Sequence, residues 1–242
     1  MDTTTKTAVV AGGTGGIGEG VVQAFLSAGY CVYVPVREKD PSERLKAFVH
    51  NPAGLRFLPA DLGDDLAVLA MRDRILEEVP QIDAVVVSVG AGYWGYRLHK
   101  MPRTDWDDSI QDNLATHFNV QRVFIDQLRR QNSGTFITLV GPEAEHIRPD
   151  AGMVSIMAAA QKMMTRVLAE ESSDTSVRVH AVTVHTTIHT RSRGENTNRE
   201  WITARDLGEY VAALVAERVP GCDRALHDLK DHWQLQSILH PG

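Results

Sequence analysis

Near the start of the chain, Ala11-Gly12-Gly13-Thr14-Gly15-Gly16-Ile17-Gly18 follows an apolar run and leads into a helix-like segment. Residues without Cβ at such a strand-to-helix turn let the backbone approach a pyrophosphate, and the free amides and positive dipole end of the following helix favour its charge. Gly12, Thr14, Gly15, Gly16, Ile17 and Gly18 are therefore candidate phosphate-binding residues. The rival reading is a tight glycine turn with no ligand. Further along, Tyr96-Arg97-Leu98-His99-Lys100 holds a Tyr and a Lys at i, i+4 spacing, a candidate proton donor with a cation beside it. His146, His185 and His189 are candidate proton donors near neutral pH, against the rival of ordinary surface histidines. His180, His185 and His189 also raise a metal, but no carboxylate at suitable spacing completes the set, so none is expected.

The elements that must position these residues read clearly. Apolar runs rich in β-branched residues alternate with longer segments of helical period, the pattern of βαβ units and a parallel sheet covered on both faces. Strands are expected at Thr7 to Ala11, Cys31 to Val36, Leu55 to Leu58, Ala84 to Val89, Thr135 to Val140 and Val177 to Val184. Helices are expected at Ile17 to Ser27, Ser42 to Val49, Asp64 to Val79, Asp105 to Arg130 and Gly152 to Glu171. Thr104 with Asp107, and Thr203 with Asp206, resemble capping boxes. Polar Thr186 to Glu200 reads as a mobile loop or lid. No linker or repeat divides the 242 residues, so residues 1–242 are read as one domain.

Lys+Arg 25 against Asp+Glu 31 gives a net charge of −6, which supplies no field for holding nucleic acid or an anionic membrane. The first residues lack the apolar stretch of a secretory signal, and no apolar run approaches the ~18 residues that span a bilayer, so a cytoplasmic location is expected. Cys31 and Cys222 read as two buried free thiols.

Gly12-x-x-x-Gly16-Ile17-Gly18 resembles the glycine loop of the short-chain dehydrogenase/reductase family, and the likeness continues along nearly the whole chain. Asp61-Leu62 is similar to the family's adenine-contacting segment, and Val86-Val87-Ser88-Val89-Gly90 lies where the family writes Val-Asn-Asn-Ala-Gly. Trp106 through Asn113-Leu114 looks like the stretch ending in the family's active-site Asn. Thr165-Arg166-Val167-Leu168-Ala169-Glu170 and Val177-Arg178-Val179-His180-Ala181-Val182 match two further family segments. The resemblance implies a three-layer α/β Rossmann-type fold. About seven parallel strands run in the order 3-2-1-4-5-6-7, the last near Arg224 to His227, with helices on both faces. It also implies a nicotinamide dinucleotide on the glycine loop, Asp61, Leu62 and Gly90. Asn113 takes a catalytic position. The Asn113-bearing helix and the Met/Ala-rich helix 152–171 would join subunits of a homodimer or homotetramer.

At the end of the second strand an acid would bind the adenosine ribose and a base the 2′-phosphate; Val36-Arg37 favours NADP(H) over NAD(H), although Glu38 follows at once. The family's Ser, Tyr and Lys fall by spacing on Gly141, Val154 and Ala158, which carry no titratable group. A register that uses Lys162 puts Ala158 in the Tyr position, and no tyrosine lies between Tyr96 and Tyr210. Lys162 then reads as a solvated or inter-subunit charge. Three functions follow. The first is a divergent homologue that binds NADP(H) and a small molecule without the standard carbonyl-reducing groups, acting as a non-redox enzyme or a ligand-binding protein. The second is an NADP-dependent reductase using His146, His185 or Tyr96 as substitute acid. The third is a structural partner.

Overall fold

Successive side chains of a strand point to opposite faces, so a strand buried on both sides is mostly apolar, as Ala84–Val87 is throughout. The computed structural model describes residues 5–37, 42–50, 52–195 and 198–241. Its strands are β1 (Thr7–Ala11), β2 (Cys31–Val36), β3 (Leu55–Pro59), β4 (Ala84–Val87), β5 (Thr135–Val140), β6 (Arg178–Val184), β7 (Ile188–His189), β8 (Ile202–Thr203) and β9 (Leu226–Leu229). Its α-helices are α1 (Gly18–Ser27), α2 (Ser42–Phe48), α3 (Asp65–Glu78), α4 (Arg103–Ser109), α5 (Thr116–Gln131), α6 (Gly152–Glu171), α7 (Ala204–Val215) and α8 (His232–Leu239).

Seven strands form one parallel sheet in the order β3-β2-β1-β4-β5-β6-β9. On β1, Ala8 and Val10 join the core shared with α1 and α7, whereas Val9 and Ala11 join the core shared with α3 and α5. This is a Rossmann-type sheet with a helical layer on each face, and its strand order reverses between β1 and β4, where a crevice opens at the carboxyl ends of the strands. No helix among the described residues is long and apolar enough to cross a membrane.

Several local expectations are corrected. The expected helix Asp105 to Arg130 starts at Arg103, directly after Pro102, whose φ of −60° already suits helix entry. Thr104 therefore lies inside the first turn, and its hydroxyl meets the Asp105 carboxylate 3.2 Å away rather than capping with Asp107. The same helix is interrupted by a π turn at Ile110–Ala115. The polar stretch after β6 is no plain loop: β7 pairs in parallel with β8, and a turn at Arg191–Arg193 follows β7. The last sheet strand lies two residues later than expected, and Cys31 and Cys222 are free but only half-buried. By contrast, the Thr203 cap forms, its Oγ1 accepting the Asp206 amide at 3.0 Å.

Helix α1, which carries the glycine loop at its start, is held by α7 at backbone contact. A Cβ on Gly20 would stand 2.0 Å from the Ala204 carbonyl oxygen, and one on Gly208 would stand 2.2 Å from that of Gly20. Backbone cannot yield as a flexible side chain can, so Gly208→Ala should cost about 1–3 kcal/mol by overpacking. Thermal melting should register this as a fall of roughly 3–10 °C. An unchanged melting temperature would mean that the two helices separate without penalty.

Candidate functional site: a two-ended cleft over the sheet

The glycine loop sits where its motif requires. Gly12 has φ +82°, and a Cβ on it would lie 2.3 Å from the Ser88 carbonyl oxygen, so the turn closes on the end of β4 only with glycine there. A Cβ on Gly18 would lie 2.0 Å from the Gly12 carbonyl oxygen. Among the described residues the amides of Thr14, Gly16 and Ile17 make no hydrogen bond, and α1 begins immediately beyond them. Unpaired amides at a helix start are what an anionic phosphate requires, so the loop fits a pyrophosphate.

Beside the loop a cavity of about 410 Å³ is bordered by Gly12, Thr14, Gly15, Arg37, Asp61, Leu62 and Gly90. All of these were expected from sequence. Asp61 is shaped by a local turn, its Oδ1 accepting the Gly63 amide at 2.9 Å. Arg37 is exposed at the end of β2, and Glu38 lies outside the described residues. A second guanidinium arrives unannounced: Arg44 of α2 donates to the Thr14 carbonyl at 2.9 Å. Only its position on α2 hints at this, because the loop it meets lies 30 residues away.

The cleft continues past Ser88, Val89 and Gly90 into a cavity of about 770 Å³ bordered by Gly16, Ile17, Trp94, Gly141, Glu143, Arg148, His185 and Arg193, among others. A small annex of about 210 Å³ lies between Asn113, Gly141, Glu143, Val154, Ala158 and Gln161. The three positions in which the family pattern would place Ser, Tyr and Lys therefore do converge, as Gly141, Val154 and Ala158.

Asn113 is buried in the π turn with both ends of its amide engaged. Its Oδ1 accepts the Ala91 amide at 3.0 Å, and its Nδ2 donates to the Ser109 carbonyl at 3.1 Å. It thereby fixes the chain after β4. His117, one helical turn on, supports the same segment through a 3.0 Å bond to the Val89 carbonyl. Burial lowers the His117 pKa to about 4, which keeps the ring neutral, and a neutral ring nitrogen facing a carbonyl must carry the proton.

The remaining candidates separate. His185 borders the larger cavity, its Nε2 2.9 Å from Asp228 Oδ1, and His146 meets it edge-on at 5.6 Å between ring centroids. His189 is turned to the Gly194 carbonyl at 2.7 Å, and buried His180 packs on His227 at 5.1 Å between centroids. Tyr96 borders neither part of the cleft, and its hydroxyl bonds to Asp105, which raises its pKa.

Two charge expectations are corrected. Lys162 is buried, not solvated: its Nζ donates to Glu145 Oε1 at 2.6 Å and to Thr183 Oγ1 at 2.8 Å. Carboxylates do join His185, since single ligand atoms of Glu145, His185 and Asp228 lie within 4.8 Å of one another. The Lys162 ammonium, 3.9 Å from Asp228, already supplies the positive charge these acids face. The expected lid is anchored over the loop. Arg191 donates to buried Glu19 Oε2 at 2.7 Å, and a Cβ on Gly16 would meet Thr190 at 3.0 Å.

Comparison with known proteins agrees with this geometry. Glucose 1-dehydrogenase 2 of Bacillus subtilis (strain 168) is 27% identical over 185 residues, 75% of this chain and 71% of that protein. A rhamnolipids biosynthesis 3-oxoacyl-[acyl-carrier-protein] reductase of Pseudomonas aeruginosa is 26% identical over 193 residues, 73% of this chain and 71% of that protein. Among solved structures, ElxO with NADP bound superimposes with a TM-score of 0.83 at 18% identity, covering 93% of this chain and 97% of that one. An alcohol dehydrogenase from the archaeon Thermococcus sibiricus complexed with 5-hydroxy-NADP gives 0.78 at 20% identity, covering 93% and 95%. The sequence pattern of the short chain dehydrogenases matches residues 6–201. With that match spanning most of the chain, and the sheet order and glycine turn agreeing with it, the chain belongs to the short-chain dehydrogenase family.

Proposed function

We propose that the chain binds NADP(H), in preference to NAD(H), and holds a small-molecule ligand beside it without the standard carbonyl-reducing groups of its family. It then acts as a non-redox enzyme in the old substrate cleft or as a cofactor- and ligand-binding protein. One observation carries this reading: the cleft's two ends are built to different standards. At one end stand the open amides of Thr14, Gly16 and Ile17 with Arg37 and Arg44 near them. At the other, Gly141, Val154 and Ala158 converge on an annex with no hydroxyl and no ammonium.

The residues that would hold the dinucleotide are the glycine loop at the pyrophosphate, Arg37 at the 2′-phosphate, and Asp61, Leu62 and Gly90 along the adenosine half. Bound, the nicotinamide supplies or accepts a hydride. What the chain's own residues do at that end is orient. Asn113 holds Ala91, His117 holds Val89, and no side chain of the annex offers a proton to a developing alkoxide as a Tyr hydroxyl would. A second reading, a working NADP-dependent reductase, is favoured by His185, which is oriented by Asp228 at the border of the cavity with His146 beside it. A cytoplasmic location accords with either, and neither calls for nucleic acid or membrane as partner.

We also propose that the chain assembles with copies of itself through α5 and α6, which carry exposed Phe118, Met163 and Val167 at 53%, 52% and 46% exposure. Apolar side chains gathered on adjacent helices are what a symmetric interface covers.

Calorimetric titration is expected to give binding of NADP(H), with Arg37→Ala weakening NADP(H) more than NAD(H). Folded protein that shows no heat with millimolar NADP(H) would leave the glycine loop without a ligand, and equal loss for both dinucleotides would remove Arg37 from the 2′-phosphate. A positioned acid contributes about 10²–10⁴-fold. NADPH oxidation with a panel of ketones and aldehydes should therefore be absent, or at least ~10²-fold below that of family members with the full set. Robust turnover abolished by His185→Ala, with folding and NADPH affinity kept, would establish the second reading instead. Sedimentation at micromolar protein should give a dimer or tetramer that Phe118→Asp dissociates; a monomeric wild type would end the assembly proposal.

A further inference from the structure

The inner end of the cleft is not chemically empty, because one carboxylate stands in it. Glu143, in the turn Pro142–Ala144 that follows β5, has a side chain only 9% exposed. Its Oε1 accepts from Arg148 Nη1 at 3.0 Å. Its Oε2 lies 2.6 Å from the point where a Cβ on Gly141 would stand, and receives no hydrogen bond among the described residues. Glu143 borders both the larger cavity and the annex, and among the described residues it is the only ionisable side chain bordering the annex.

The neighbouring donors are committed elsewhere. Asn113 Nδ2 serves the Ser109 carbonyl, and Gln161 Nε2 serves the Asn113 carbonyl at 3.3 Å. Lys162 is turned to Glu145 and Thr183. Arg148 cancels the charge only in part: it is 59% exposed and stacks on Trp94 at 4.9 Å, so water screens it while the carboxylate stays buried. Of the other basic side chains on the larger cavity, His185 is held by Asp228, and Arg193 is exposed to water. Glu143 Oε2 is therefore open to the cavity rather than sealed off, and an occupant that brings positive charge there meets it directly.

We propose that Glu143 is a cation-recognising subsite, and that through it the cleft selects the oxidised, pyridinium form of the nicotinamide dinucleotide over the reduced form. This rests on the cofactor reading above. With one end held at Arg37 and the glycine loop, the dinucleotide runs past Ser88, Val89 and Gly90 into the cavity that Glu143 borders. The two redox forms share every other group, but only the oxidised ring carries a positive charge. A buried carboxylate beside that ring acts on the difference between them, on the order of tenfold in relative affinity.

The test is separate calorimetric titration of the full chain with NADP+ and with NADPH, a readout that needs no turnover. Wild type should bind NADP+ more tightly. Glu143→Gln keeps the shape and removes the charge, and should lower the ratio Kd(NADPH)/Kd(NADP+) about tenfold. Arg148→Gln, at an exposed position, removes the counter-charge and should raise that ratio; it carries the test alone if the Glu143 variant does not fold. Tighter binding of NADPH by wild type, or a ratio within twofold of wild type in every folded variant, overturns the proposal while leaving cofactor binding intact. Failure of both forms to bind wild type ends the cofactor reading and this proposal with it.

Discussion

The approach of the Gly12 backbone to the Ser88 carbonyl is the constraint from which the cleft follows. It can exist only where β1 and β4 lie side by side and the residue after β1 has no side chain, because a Cβ there would overlap that oxygen at 2.3 Å. The same closure turns the chain into α1 and leaves the Thr14, Gly16 and Ile17 amides facing outward. It also sets α1 against α7 at the Gly20 and Gly208 contact, so the loop's direction is fixed by helix packing that begins just beyond Gly18. Relaxing any one of these contacts would move the others, because packed backbone has no soft degree of freedom to absorb the shift.

Against that rigid end, the inner end of the cleft is built from small and apolar residues held in position by amides. Asn113 Oδ1 and His117 Nε2 are spent on Ala91 and Val89, so the wall of the cleft is well defined even where it offers no proton. Beside Gly141 there is no side chain to exclude Glu143, and its carboxylate enters the space. The charged cluster of Lys162, Glu145, His185 and Asp228 flanks this wall and satisfies itself, which keeps the lysine out of the cleft.

The strands, most helices and the glycine turn were legible in the sequence because each is encoded locally, in runs of β-branched residues, helical period and a turn of fixed spacing, whereas the strand order was implied by the resemblance to the family. The Thr203 cap was legible for the same reason, whereas the similar Thr104 pattern was overridden by Pro102, which starts the helix two residues earlier. What could not be read were pairings across the fold. Lys162 looked like a surface charge because its partners Glu145 and Thr183 lie 17 and 21 residues away and meet it only once β5, β6 and α6 pack. Glu143 carried no signal at all, since a single acid after a strand has no spacing to recognise. Its significance appears only when Gly141, Val154 and Ala158 are seen to share its cavity. Tyr96 and Lys100, in contrast, had the right spacing and the wrong place.

The proposed binding mode has one dinucleotide spanning the cleft from Arg37 over the glycine loop to the carboxylate of Glu143. A crystal structure of the chain grown with NADP+ measures this directly. The expected result is the pyrophosphate on the amides of Thr14, Gly16 and Ile17, the 2′-phosphate at Arg37, and the pyridinium ring in the cavity bordered by Glu143, with Val154 and Ala158 making only apolar contact. A dinucleotide bound with its ring displaced from that cavity, or with its adenosine phosphate remote from Arg37, would contradict it.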